Sequence, residues 1–401
     1  LNLFFMKLLK IFFYYIIFFF IFYFETIEIA GIKLALIWKG ALIIHIIVTI
    51  SSQKRKYSNM FIRIGYLWGI KNIFTLSIMQ YFMETISLTL KSINLTLCYK
   101  YIKSKYNNPE IIAKLIISIS IFIIVSSLPF HLGIIKPLVS AYNINNYTSG
   151  PIDTSAYVGI FQNPHSTAII TSLAVISLLF FVNKKRILLP IILLGLINTY
   201  LTYVRTGYLL LIVGLVITLY FKVKRKVILF AIFPVIFYSL FLITGENDLF
   251  VNRLFNITKY SDTHNVTVES LGSGRTYFWI TNLYLWVNSD IFTQTIGYGE
   301  EIAKDNMQKA IGLRLVSHNG YIDSLIQNGL LGSIIFLLFL FYMLNIVMKN
   351  KKSEFFPLAL IAFFCYTIMH VVQGGYFFLF DVLIALNIGL VSDENIQNVK
   401  K

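Results

Sequence analysis

Apolar runs long enough to form transmembrane helices recur from end to end of this chain. A hydrocarbon core of roughly 30 Å is crossed by about 20 residues of α-helix. The pattern therefore predicts a polytopic membrane protein with about 12 spans. The predicted transmembrane helices are 3–24, 29–50, 64–82, 85–101, 111–130, 158–182, 187–203, 207–221, 227–244, 321–348, 354–372 and 376–392.

These spans predict an all-α fold, with residues 1–401 forming a single transmembrane domain whose two ends face the cytoplasm. The first span is too long for a signal peptide and lacks a small-residue cleavage pattern, so we expect a retained membrane helix. Lys91 and Asn94 interrupt the apolar pattern of the span at 85–101. That span is consequently the least regular of the set.

One predicted external connection, at about residues 245–320, is far longer than an ordinary loop. Loops of that length in a compact fold are usually functional or disordered. Its stretch RTYFWITNLYLWV carries aromatic residues at helical spacing, which suits a short helix lying in the membrane interface. A solvated lid is the alternative.

Composition agrees with a membrane protein, because 57% of the residues are hydrophobic and only 13% are charged. The net charge of +16 lies mostly in short basic clusters between apolar runs, the arrangement of the positive-inside rule. This placement argues against nucleic-acid binding. Cys98 and Cys365 lie far apart in apolar surroundings, which predicts buried inert thiols. The basic clusters are QKRK at 53–56, KYIKSK at 100–105, NKKR at 183–186, KVKRK at 222–226 and KNKK at 349–352.

Four polar stretches stand at the predicted outer ends of helices. On the predicted topology all four face the same side of the membrane. A polar site assembled at one membrane face is the simplest explanation. The stretches are VGIFQNPHSTA at 158–168, TYVRTGY at 202–208, GSGRTYFW at 272–279 and SHNGYID at 317–323.

Two arginines in these stretches are candidate anion ligands. Arg205 lies between two apolar runs. A charge near hydrocarbon costs about 2.5–3.5 kcal/mol, so Arg205 needs a partner or a function, unless it reaches the outer headgroups. Arg275 follows Gly-Ser-Gly and is either a ligand or an ordinary loop cation. Two guanidinium groups on one face suit a diphosphate, whose oxygens they bind bidentately.

His318 is the candidate general base, because neutral imidazole accepts a proton near neutral pH. Its position before a predicted helix disfavours the charged form and so favours that role. A satisfied polar histidine, with Asn319 as the helix cap, is the alternative. Neither a metal-ligand spacing, nor a phosphate-cradling loop, nor a Gly-x-Ser-x-Gly sequence is present. The loop carboxylates show no spacing that singles out a catalytic pair: Glu246, Asp262, Glu269, Glu300, Glu301 and Asp305.

The order of these features resembles the O-antigen ligase and polymerase family of bacterial glycan-assembly proteins. The shared features are Gly-Ile-Phe-Gln-Asn-Pro-His in a mid-chain helix, Arg-Thr-Gly between two short helices, and an external loop from Ser-Gly-Arg to His-Asn-Gly-Tyr-Ile. A fourth shared feature, Gly-Leu-Leu-Gly, follows inside the next helix. The resemblance covers roughly residues 155–345. Members of the family transfer an oligosaccharide from undecaprenyl diphosphate to an acceptor sugar at the outer face of the cytoplasmic membrane.

The resemblance implies specific roles for the candidate residues. Arg205 and Arg275 would hold the diphosphate, and His318 would orient or deprotonate the acceptor hydroxyl. The lipid diphosphate is already a good leaving group, so no metal or other cofactor is implied. His165, which stands where the family often has Asn, is either a substrate contact or a helix-start residue. The implied substrate-binding residues are Asn319, Tyr321, Asn163, His165 and Tyr277.

The leading hypothesis is a polysaccharide polymerase that joins lipid-linked repeat units into a capsule, exopolysaccharide or O-antigen. A ligase that moves finished glycan onto lipid A core would use the same donor. A flippase or transporter of lipid-linked sugars is the alternative from another class, but transporters place ionisable residues near the midplane in repeated halves. The resemblance implies a bacterial inner (cytoplasmic) membrane location with an outward-facing site, membrane lipids around the protein, and a chain-length regulator and a flippase as candidate partners.

Overall fold

The computed structural model describes residues 2–24, 27–29, 32–52, 57–106, 108–138, 156–182, 186–222 and 275–391. Within these ranges the chain is helical apart from one small antiparallel hairpin, formed by strands β1 (Glu28–Ile29) and β2 (Ile32–Lys33). The helices, numbered over the described residues, are α1 (Asn2–Tyr23), α2 (Leu34–Ser52), α3 (Met60–Lys71), α4 (Phe82–Lys105), α5 (Pro109–Val125), α6 (Leu128–His131), α7 (Pro164–Phe181), α8 (Leu189–Leu201), α9 (Arg205–Lys222), α10 (Arg275–Val287), α11 (Ile291–Ile296), α12 (Glu300–Ile311), α13 (Gly320–Lys349), α14 (Phe356–Val372) and α15 (Phe378–Val391).

The helical architecture predicted from the apolar pattern is confirmed. Four described segments are long and apolar enough to cross a membrane: Pro109–His131, Pro164–Phe181, Arg205–Lys222 and Gly320–Lys349. Shorter apolar helices accompany them, so the predicted number of about 12 spans is not confirmed. The predicted span at 227–244 lies outside the described residues. The shorter apolar helices are Phe13–Tyr23, Ile37–Ser52, Arg186–Leu201, Phe356–Val372 and Phe378–Val391.

The chain divides into two compact units. The first comprises Leu1–Lys54 and Glu110–Leu211, and the second comprises Arg55–Pro109 and Ile212–Lys401. The first unit is centred on α7, whose Ala168 is fully buried. The second buries apolar side chains of α14 and α15 against its other helices, and α15 packs along α4.

The predicted span at 64–82 is wrong in its second half. Helix α3 ends at Lys71, and two 3₁₀ turns, Asn72–Phe74 and Leu76–Ile78, follow before α4 begins. The Asn72 side chain stabilises this break, because its Nδ2 donates to Gly69 O at 3.0 Å and to Ser92 Oγ at 3.1 Å. The apolar pattern continues through the break, so hydropathy alone did not reveal it.

Helix α13 is also interrupted, at Gly329, where φ is 66° and ψ is −173°. The connection between α11 and α12 inserts beside this kink. Tyr298 N donates to Ile326 O at 3.0 Å, and Gly299 N donates to Gln327 O at 2.8 Å. These bonds satisfy carbonyl groups that a kink in an apolar helix would otherwise leave exposed.

The irregular span predicted at 85–101 is one continuous helix, α4. Asn94, which interrupts its apolar pattern, is only 3% exposed. Its Nδ2 donates to Asp381 Oδ2 of α15 at 3.0 Å. The polar interruption is therefore a contact between two packed helices.

Candidate functional site

The loop that carries His318 runs between α12 and α13, and residues 312–319 are here termed the His318 loop. Asn319 ends it as the N-cap of α13. The Asn319 Oδ1 atom accepts from Tyr321 N at 3.0 Å and from Ile322 N at 3.2 Å. Asparagine is among the preferred N-cap residues because its side chain satisfies amide groups that the first helical turn leaves free.

Asp323, one turn into α13, reaches back to the His318 loop. Its Oδ1 accepts from Ser317 N at 2.9 Å and from Ser317 Oγ at 2.7 Å. From the other side, Trp279 of α10 donates its Nε1 to Ser317 O at 2.9 Å. The residue that precedes His318 is thus held through both its peptide groups and its side chain.

His318 itself has a left-handed backbone, with φ of 57°. This conformation costs an ordinary residue about 1–2 kcal/mol, although histidine tolerates it better than most. In the described part of the chain only two other non-glycine residues have positive φ: Gln162 and Tyr203. Each of the three lies in a different one of the four polar stretches. Strained backbone of this kind is concentrated at functional sites.

Arg275 opens α10 and lies near His318. Its guanidinium donates to the carbonyl oxygen of Val372, at the end of α14. Burial of the imidazole, and then the positive charge of Arg275, lower the pKa of His318 below its usual 6.5. His318 is consequently neutral near pH 7, which is the form that accepts a proton.

In the first unit, Asn163 and His165 form the start of α7. Asn163 is the N-cap, and its Oδ1 accepts from His165 N at 2.8 Å and from Ser166 N at 3.3 Å. His165 is half-buried in the first helical turn. The Asn163 side-chain oxygen therefore caps α7. His165 remains a candidate either for a substrate contact or for a residue that only starts the helix.

Arg205 is the first residue of α9 and is exposed. The starts of α9 and α7 lie at the same end of the first unit. A Cβ atom on Gly207 would lie 2.8 Å from the Cβ of Ala168, so the two helices approach closely near their first turns. Ser172 Oγ also donates to Gly207 O at 2.9 Å. Two of the four polar stretches therefore meet in this unit.

The structure thus brings the predicted residues together as two groups. Arg275, His318 and Asn319 meet in the second unit, and the stretches of Asn163 and Arg205 meet in the first. Two predicted substrate contacts, Tyr277 and Tyr321, lie in the first turns of α10 and α13. The Tyr277 side chain is 41% exposed on α10, and the Tyr321 ring packs edge-on against Phe336 with 5.5 Å between centroids.

Residues that the sequence did not single out complete the second group. They are Ser317, Asp323, Trp279 and Gly374. An acid one turn into an apolar helix was a usable signal for Asp323, because a buried carboxylate needs hydrogen-bond partners. Gly374 carried no such signal, since only the fold shows that it lies beside Asp323.

Three carboxylates in the described part of the long connection, those of Glu300, Glu301 and Asp305, form ion pairs with neighbouring cations. Arg314 contacts Glu301 at 2.7 Å and Asp305 at 2.9 Å, and Lys304 contacts Glu300 at 2.6 Å. Glu246, Asp262 and Glu269 lie outside the described residues. Across the described ranges, no three His, Cys, Asp or Glu side chains group as metal ligands.

Apolar helices of membrane-spanning length and a polar cluster at the start of one of them define a multi-pass helical membrane protein. A family model described as O-Antigen ligase matches residues 190–337. This match confirms the resemblance drawn from the motifs over residues 190–337, which are similar to the O-antigen ligase family. The matched range contains Arg205, Arg275 and His318. Asn163 and His165 precede it. A search of curated proteins found no match.

The family supports a glycosyltransferase-like function in polysaccharide biosynthesis, with lipid-linked saccharide substrates.

Proposed function

We propose that this protein is a polysaccharide polymerase that transfers an undecaprenyl-diphosphate-linked oligosaccharide onto the acceptor sugar of another lipid-linked repeat unit. The observation that carries the proposal is the pairing of His318, neutral and clamped in a left-handed backbone, with the nearby cation Arg275. A base and an anion ligand side by side match the two ends of such a reaction.

The transfer proceeds as a substitution at the anomeric carbon of the donor sugar. The acceptor hydroxyl oxygen forms the new bond to that carbon, and the bond from the carbon to the diphosphate oxygen breaks. His318 takes the hydroxyl proton. The lipid diphosphate leaves with the bonding electrons, so negative charge grows on its bridging oxygen. Arg275 stabilises that charge, with Arg205 as the second candidate diphosphate ligand.

The location of the site is part of the proposal. We place the His318 loop at the outer face of the cytoplasmic membrane, where a lipid-anchored diphosphate and a sugar hydroxyl in water can meet. No metal or other cofactor takes part. A ligase that transfers glycan to lipid A core remains the second candidate, because the matching family model is described as O-Antigen ligase and the two reactions share the donor chemistry.

The test is glycan length on gels from a deletion strain that is complemented with wild type, His318→Ala, Arg275→Ala or Arg205→Ala. Membrane levels of each protein are measured in parallel. The control is Arg314→Ala, which removes another arginine of the His318 loop, whose described partners are Glu301, Asp305 and Tyr81.

A polymerase predicts a ladder with wild type and with Arg314→Ala, and single repeat units with the three site variants. Normal ladders from all three site variants would refute the site. Long chains that accumulate on the carrier lipid in the deletion strain would identify a ligase instead, and lipid-linked units trapped on the cytoplasmic side would identify a transporter.

A further inference from the structure

We propose that Asp323 is a positioning residue, which holds the His318 loop so that the imidazole faces the acceptor hydroxyl. This inference rests on the proposed function of His318, and it adds a residue to which the family resemblance gave no role. The contacts that carry it are all in the second unit.

The clamp acts on the residue next to His318. Asp323 Oδ1 accepts from Ser317 N at 2.9 Å and Ser317 Oγ at 2.7 Å. Ser317 Oγ in turn accepts from Asn319 N at 3.1 Å, on the far side of the histidine. Both neighbours of His318 are therefore tied to one carboxylate oxygen, directly or through Ser317. This arrangement fixes the peptide planes on either side of a left-handed residue.

The carboxylate cannot easily move away from the loop. Asp323 is only 6% exposed. Its Oδ2 lies against Gly374, where a Cβ atom would be only 2.8 Å away. Asp323 N also donates to Asn319 O at 2.7 Å, so the backbone of the clamp belongs to the first turn of α13. A rigid helix thereby dictates the shape of the loop.

The clamp depends on hydrogen-bond acceptance by one oxygen. Asparagine has nearly the same shape and keeps an Oδ1 acceptor, whereas alanine keeps neither oxygen. Asp323→Asn should consequently preserve the loop, and Asp323→Ala should release it. A role that required the negative charge of Asp323 would make both variants defective.

The matched control is Asp290, which makes the same kind of contact elsewhere in the second unit. It accepts from Thr293 N at 2.9 Å and from Thr293 Oγ1 at 2.6 Å, as the cap of α11. Asp290→Ala removes an exposed carboxylate clamp with the same two kinds of partner and leaves the His318 loop unchanged. It separates the proposed effect from the general effect of losing such a contact.

The readout is the rate at which diethylpyrocarbonate modifies His318, followed by peptide mass spectrometry on the full-length protein in membranes from pH 5 to 8. This reagent attacks neutral imidazole, so the profile reports both accessibility and protonation without needing a substrate. Arg275 of α10 acts electrostatically on His318, His370 of α14 lies against Gly320, and Asp323 of α13 binds Ser317. Only the last is changed.

For Asp323→Ala we expect His318 modification at pH 7.5 to rise about fivefold or more, because the two hydrogen bonds to Ser317 are lost. The midpoint of the profile should move up toward the ordinary value of 6.5, because the imidazole gains solvent. Asp323→Asn and Asp290→Ala should match wild type. Ser317→Ala keeps the backbone bond and should show a smaller rise.

Unchanged His318 reactivity in Asp323→Ala would overturn the positioning role, as would an Asp323→Asn profile equal to that of Asp323→Ala. If Asp323→Ala does not reach the membrane, the positioning role is tested with Ser317→Ala and Asp323→Asn. A pH profile of His318 modification that is unchanged in Ser317→Ala, or altered in Asp323→Asn, then refutes the role. If His318 modification rises in Asp323→Ala as expected but His318→Ala makes normal glycan ladders, the positioning role of Asp323 is supported and the proposed function is refuted.

Discussion

Gly374 offers a sharp test of whether the packing around Asp323 matters for function. Its φ is 64°, and it lies between the end of α14 and the start of α15. A Cβ atom there would lie 2.8 Å from Asp323 Oδ2, 3.0 Å from Gly320 N and 3.1 Å from Asn319 N. Two of these three atoms belong to the backbone and cannot rotate away. The Gly374→Ala variant must therefore displace the start of α13 and the His318 loop.

The size of the effect follows from these distances. Ordinary van der Waals contact begins at 3.4 Å, so the loop must shift by several tenths of an ångström. Overpacking of this kind costs about 1–3 kcal/mol, in addition to about 1–2 kcal/mol for a left-handed alanine. A misplacement of about 1 Å can cost roughly 100-fold in rate. We expect transfer to fall about 10- to 100-fold in Gly374→Ala.

Gly312→Ala is the matched control. Gly312 also has positive φ, 75°, but nothing lies within 4 Å of the position where its Cβ would stand. The two variants share the backbone cost and differ in the clash. Transfer is measured in membranes at equal protein level, and heat resistance is measured as the fraction that stays monodisperse in detergent after heating.

Gly374→Ala should lose more heat resistance than Gly312→Ala and should alone lose transfer. Equal behaviour of the two alanine variants would show that the close approach to Asp323 has no consequence. Loss of transfer in Gly312→Ala alone would place the functional constraint in the loop and not in its contact with Gly374.

Three further predictions concern the same unit. Arg275→Gln should raise the midpoint of the His318 modification profile toward 6.5, because the cation that lowers its pKa is removed; an unchanged midpoint would contradict the pairing. His318→Gly and His318→Ala both remove the imidazole and should reduce transfer equally, by about 100-fold or more as expected for loss of a general base. Only the glycine variant also relieves the left-handed backbone, so higher transfer in His318→Gly would show that the alanine variant had measured backbone strain and not loss of the imidazole. A fluorophore on Tyr284→Cys, whose native side chain is 68% exposed on α10, should emit at shorter wavelength than one on Gln308→Cys if α10 lies in the membrane interface; equal emission would favour a solvated lid.

Features that depend on short-range signals were well predicted from the sequence. The start of α13 follows from a capping asparagine before an apolar run, and Asn319 is found in that role. By contrast, the start of α7 was predicted too early, at residue 158, whereas the helix begins at Pro164 after its N-cap Asn163. The polar stretches at the two ends of the long connection were expected on the same face, and Arg275 lies near His318 in the structure.

Features that depend on distant parts of the chain were missed. The break after Lys71 and the kink at Gly329 both border the connection between α11 and α12. Lys71 Nζ donates to Ile296 O at 2.7 Å, and Leu76 N donates to Gly297 O at 3.3 Å. Hydropathy reports which residues avoid water, and it carries no information about which backbone groups pair across more than 200 positions. The sequence signalled that Asp323 needs hydrogen-bond partners, but it did not show that Ser317 is the partner, because their contact forms only when the loop folds back on the helix.

The most direct test of the central claim separates donor binding from transfer in protein reconstituted in liposomes. The probe is a fluorescent undecaprenyl-diphosphate-linked oligosaccharide, and both its binding and the release of undecaprenyl diphosphate are measured. His318→Asn should bind the donor as wild type does and release undecaprenyl diphosphate at least about 100-fold more slowly, because the general base is lost. Arg275→Ala should weaken binding itself. Release at the wild-type rate by His318→Asn would contradict the assignment of this site to glycan transfer.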